Sequence, residues 1–91
     1  MKPVVNLDGS RINTVDDFHH QIAKVMDFPD YYGKNLDALW DCLTGDVDAD
    51  VRLVWKQHHL SKTNLGDGFG KIIRIFEDLK AECPGFELEL D

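Results

Sequence analysis

The stretch Tyr31-Tyr32-Gly33-Lys34-Asn35-Leu36-Asp37-Ala38-Leu39-Trp40-Asp41-Cys42-Leu43-Thr44-Gly45 decides how this chain reads. Asn35 is a good N-cap. Leu36, Leu39, Trp40 and Leu43 follow at i, i+3, i+4 and i+7, which predicts a helix to about Leu43 with one apolar stripe turned inward. Lys34, Asp37, Ala38 and Asp41 fall on the opposite side, and Gly45 stops the helix. Asp37 and Asp41 are four residues apart on that outer face, a like-charge pair that costs about 0.2–0.5 kcal/mol. Asp37 recovers part of this from the positive end of the helix dipole, which Asp41 is too far along to share. Such a pair is either a solvated face or a surface kept for a partner. Tyr31, Tyr32 and Trp40 favour the partner, because aromatic anchors set among charges are what interface hot spots consist of.

The charge of the chain concentrates around this segment. Of a net −7, six units lie between Asp27 and Asp50, where seven aspartates (Asp27, Asp30, Asp37, Asp41, Asp46, Asp48, Asp50) face one base, Lys34. This balance argues against direct contact with nucleic acid or a membrane surface, both polyanionic, and favours a basic partner. A hydrophobic content of 43% with 30% charged residues belongs to an ordinary folded protein.

The 91 residues are expected to form a single α/β domain over 1–91. Pro3–Leu7 reads as a strand closed by the Asp8-Gly9 turn. Thr14 opens a capping-box helix to about Met26 with Val15, Phe18, Ile22, Val25 and Met26 inward, ended by Pro29. Val51–Trp55 is a second strand. Lys56–Thr63 reads as a short helix and residues 64–68 as a loop in which Asp67 caps a last helix to about Glu82. Phe69, Ile72, Ile73, Phe76 and Leu79 are its buried stripe. Phe86–Leu90 alternates as a strand with one wet face. Two helices between successive strands favour parallel pairing, hence a three-stranded parallel sheet packed by about four helices.

Fifteen residues, Tyr31 to Gly45, resemble the signature of the barstar family, intracellular inhibitors of secreted barnase-type ribonucleases. The likeness extends more loosely over the opening strand, His19, Val51–Trp55 and Ile75-Phe76-Glu77-Asp78-Leu79-Lys80-Ala81-Glu82. It implies a protein inhibitor that presents its second helix and the preceding loop to a ribonuclease active site in a one-to-one complex. Asp41 would occupy the pocket of the RNA phosphate, Tyr31 would pack near the catalytic histidine, and Asp37 would pair with basic residues. Asn35, Leu36, Trp40, Gly45, Ile75 and Asp78 match other contact positions. Asp46, Asp78 and Lys34 depart from the family pattern, standing in place of an aromatic residue, a glutamate and an acid.

Other readings are weaker. Two carboxylates on adjacent turns of one helix leave no cleft for acid–base catalysis. Asp46-Val47-Asp48-Ala49-Asp50 lacks the central glycine and closing glutamate of a calcium loop, so no metal or cofactor is expected. Cys42 and Cys83 have no metal spacing and read as reduced thiols packed as small apolar groups. His19 lies on the apolar stripe as a hydrogen-bonded core residue, His20 points outward, and His58 and His59 receive no role. With no signal peptide and no membrane span, the chain reads as cytoplasmic. The main alternative to an inhibitor is a non-inhibitory acidic module that uses the same helix on another basic partner.

Overall fold

The computed structural model describes residues 2–91. Three strands, β1 (Val4–Asp8), β2 (Arg52–Lys56) and β3 (Glu87–Leu90), form a sheet in the order β1-β2-β3. All pairing is parallel, with Leu7 opposite Trp55 and Leu53 opposite Leu88. The first crossover carries α1 (Val15–Val25) and α2 (Leu36–Asp41), and the second carries α3 (His58–Leu65) and α4 (Asp67–Glu82). The small parallel sheet packed by four helices is thus present as the sequence indicates.

Alternation of side chains divides the sheet into two faces. Leu7, Leu53 and Trp55 are fully enclosed and meet the helical stripes of Phe18, Ile22, Leu39, Ile72 and Phe76. Trp55 stacks on Phe18 at 5.3 Å. The other face carries exposed Asn6, Arg52, Lys56, Glu87 and Glu89. Parallel sheets are usually covered on both sides. Here the open side is a charged lattice instead: Glu87 lies 2.9 Å from Lys2 and 3.3 Å from Arg52, and Lys56 is 3.8 Å from Asp91. Lys2 holds the Glu87 carboxyl below its ordinary range.

Close backbone approach fixes the junction of β1 with the second crossover. A Cβ on Gly9 would stand 2.3 Å from the Lys56 carbonyl oxygen, so only glycine fits. Beside it the buried Ser61 hydroxyl accepts from Trp55 Nε1 at 3.0 Å and donates to the Gly9 carbonyl at 3.0 Å.

Several element ends differ from the sequence reading. The α1 helix stops before Pro29. Asp27 takes a left-handed conformation (φ 56), and the Phe28 and Asp27 amides donate back to the carbonyls of Ala23 and Lys24, closing a Schellman motif. Residues 64–68 are not a loop, since α3 and α4 are separated by Gly66 alone, at φ 57 and ψ −128. The Phe69 amide donates to the Gly66 carbonyl, and Asp67 sits inside the first turn without capping it. Val15 is 41% exposed because it lies against Gly68, which has no side chain to cover it. Leu90 is also 41% exposed, at the end of an edge strand with a neighbour on one side only.

Candidate functional site

The candidate surface begins where α1 ends. The Schellman turn sends Phe28 back into the core, and a turn closed by the Tyr32 amide on the Pro29 carbonyl follows at 3.0 Å. Its geometry splits the tyrosine pair. Tyr31 stands 75% exposed, whereas Tyr32 is buried against Phe28 (ring centroids 4.8 Å apart) and His19. Tyr32 is therefore a core residue and not the surface anchor that the sequence pattern suggested. The signal that could have found it is His19, a lone polar group on an apolar stripe that needs a buried partner.

The Asn35 side chain accepts from the Ala38 amide at 2.8 Å and starts α2 as expected. Leu39 is fully buried, while Leu36 and Trp40 lie half-buried at the edges of the stripe. Ala38, expected outward, is half-buried against the core. The regular helix ends at Asp41, short of the expected Leu43, and Cys42–Asp46 continues as a π-turn, with the Val47 amide donating to the Cys42 carbonyl at 3.2 Å. Such widened turns recur at functional sites. This one leaves Gly45 on the surface, where a Cβ would meet nothing within 4 Å. It also brings the Cys42 thiol to 3.5 Å from the Asp46 carboxylate.

Asp37 and Asp41 are both exposed. Among the described residues, Asp50 is the one member of the seven-aspartate set with a cationic group within 4 Å, its partner being Lys2. The charge of α2 and its flanks is thus left largely uncompensated among the described residues. The Asp46 charge pushes the neighbouring Tyr31 phenol up. Burial, then Asp46 and Asp41, push the Cys42 thiol up as well, which makes it a packing group and not a nucleophile. Behind the surface, α4 packs beside α2 and the π-turn, carrying half-buried Ile75 and exposed Asp78. Asn35, Leu36, Asp37, Trp40, Asp41 and Gly45 come from one continuous segment, Tyr31 from its leading loop, and Ile75 and Asp78 from the adjoining helix.

One contact had no counterpart in the sequence reading. Lys34, the lone base of the acidic window, adopts a left-handed backbone (φ 55) and reaches back to α1, where its Nζ lies 3.2 Å from His20 Nε2. His20 is exposed as expected but is not idle. No local pattern joins two residues fourteen positions apart.

No group of three or more histidine, cysteine or acidic side chains gathers as a metal site among the described residues. No helix there is long and apolar enough to cross a membrane.

Two comparisons bear on this surface. The model of a family described as Barstar (barnase inhibitor) matches residues 2–90. A Bacillus subtilis (strain 168) protein named "Putative ribonuclease inhibitor YrdF" is 41% identical over 76 residues, covering 84% of each chain.

Proposed function

The chain belongs to the barstar family, whose members are inhibitors and not enzymes, and on that premise we propose that it blocks a basic microbial ribonuclease by filling the RNA-binding cleft with α2 and the preceding loop. A ribonuclease binds a polyanion, so its cleft is lined with Arg, Lys and His. Carboxylates fixed on a short helix satisfy those groups through charge-assisted hydrogen bonds. Asp41 takes the place of an RNA phosphate. Asp37 pairs with a neighbouring base, and Tyr31 packs over the catalytic imidazole. Asn35, Leu36, Trp40 and Gly45 complete the contact, with Ile75 and Asp78 at its edge.

The observation that carries this reading is the pairing of exposed Asp37 and Asp41 on one helix face with no cation of the described residues within 4 Å. A like-charge pair without internal compensation disfavours the free protein and favours any complex that supplies cations. The same reading puts the protein in the cytoplasm, where it would neutralise the enzyme as a one-to-one complex. Titrating a purified barnase-type ribonuclease with the protein tests it. RNA cleavage is expected to fall linearly and vanish at equimolar inhibitor. An enzyme that remains active in the presence of excess protein, bound or unbound, would leave an acidic adaptor as the correct description.

A further inference from the structure

The π-turn brings the carboxylate of its last residue, Asp46, back to its first residue and to the docking loop. The buried Cys42 thiol donates to Asp46 Oδ2 at 3.5 Å. On the open side the same carboxylate stands beside the Tyr31 phenol, in hydrogen-bonding range. Cys42 in turn lies close to both Tyr31 and Tyr32, so turn and loop meet at this point. No cation of the described residues comes within 4 Å of Asp46 to compete for it. A carboxylate only accepts, whereas thiol and phenol each carry a proton at neutral pH. Asp46 is thus anchored on its inner side by a buried group and turned on its outer side toward an exposed one. Tyr31, 75% exposed, has little packing of its own to select a rotamer. Freezing such a side chain on binding costs affinity.

We propose that Asp46 is a positioning residue: held by the Cys42 thiol, it orients the Tyr31 phenol in the free protein and so sets which enzyme group that tyrosine takes. Its role in capture rests on the inhibitory reading above. With the phenol proton committed to Asp46, the phenolic oxygen faces the enzyme as an acceptor. The group it takes is an N–H donor of arginine, lysine or protonated histidine, and not a carboxylate or a carbonyl, which would need that proton. The face of the Tyr31 ring stays free to pack over the imidazole. Asp46 acts through Tyr31, which separates it from Asp37 and Asp41, whose carboxylates meet the enzyme themselves. An orientation set before the encounter also spares the complex the cost of ordering the ring.

Three variants separate this role from a share in the general acidic field. Asp46→Ala loses acceptor and charge, Asp46→Asn loses the charge and keeps an acceptor, and Tyr31→Phe removes the donor. In the free protein, the Hα–Hβ couplings of residue 31 are measured by NMR at neutral pH. Wild type and Asp46→Asn are expected to hold one rotamer, and Asp46→Ala and Tyr31→Phe to average between rotamers. Averaging in wild type, or a single rotamer in Asp46→Ala, overturns the positioning role whatever the enzyme does. In the second arm, Kd for one barnase-type ribonuclease is measured at high salt, where the long-range field is screened. Asp46→Ala and Tyr31→Phe should each raise Kd about three- to tenfold. The double variant should go no further than Tyr31→Phe alone, and Asp46→Asn should recover most of the loss. Additive effects, or a loss in Asp46→Asn as large as in Asp46→Ala, assign Asp46 to the field and overturn the proposal. A residue 31 that behaves as expected in a protein which leaves the ribonuclease active overturns the inhibitory reading instead, and the role of Asp46 in capture falls with it.

Discussion

The imidazole Nδ1 of His19 lies 2.5 Å from the phenolic oxygen of Tyr32, and both rings are inside the core. This contact ties α1 to the loop that leads into α2, so the acidic surface rests on a buried polar pair. Desolvation holds the His19 imidazole below its usual range, with nearby Asp16 offsetting part of the effect. Burial pushes the Tyr32 phenol far up. Both groups are therefore neutral in the folded protein at neutral pH.

A pH dependence of stability follows from His19. In the unfolded chain an imidazole binds its proton near pH 6.5, whereas the buried one binds it at lower pH. Below about pH 6.5 the unfolded state thus holds more protons, and stability falls as pH falls. It is fully present above about pH 7. The lowered carboxylates of Asp8, Asp17 and Glu87 add a second loss below about pH 4, as each is protonated. Urea unfolding at pH 8, 6.5 and 5 should show the first decline in wild type and a flatter profile in His19→Gln. Equal slopes would mean that His19 is not the group responsible.

The Asp41→Ala variant is expected to bind a barnase-type ribonuclease at least about 2 kcal/mol more weakly, roughly a thirtyfold rise in Kd. The free variant should be as stable as wild type or slightly more so, because removing Asp41 relieves a like-charge pair worth about 0.2–0.5 kcal/mol. Isothermal titration and urea melts read the two effects separately. Weaker binding accompanied by loss of fold would point to a structural role for Asp41.

Salt should act mainly on association. Six of the seven clustered aspartates have no cation beside them among the described residues, so their field reaches into solvent. Screening shortens that reach to about 8 Å at 0.15 M ionic strength. Stopped-flow mixing at 20 and 500 mM salt should give a lower association rate at high salt and a dissociation rate that changes much less. A dominant change in dissociation would place the electrostatics inside the contact and not in its approach.

Ser61→Ala tests the junction beneath β1. The variant leaves Trp55 Nε1 without its acceptor in a dry site, while the Gly9 carbonyl keeps the Ile12 amide at 3.3 Å, a cost of about 1–3 kcal/mol. Chemical denaturation should show this loss with an unchanged m-value. Inhibition under native conditions should persist, because Ser61 lies outside the acidic surface.

The sequence by itself determined much of this molecule. The stripes of α1, α2 and α4, the Thr14–Asp17 capping box and the Asn35 cap are local. Each depends on residues three or four apart, so periodicity and cap chemistry suffice to read them. The concentration of aspartates around α2 is likewise visible without coordinates. Tertiary structure alone decided the rest. It turned Tyr32 inward to His19, drew Lys34 back to His20, left Val15 and Leu90 exposed, and joined α3 to α4 through Gly66. These outcomes depend on which distant segments happen to touch and on how tightly. Burial and charge pairing are properties of a site in space, and a linear pattern records only one side of each contact.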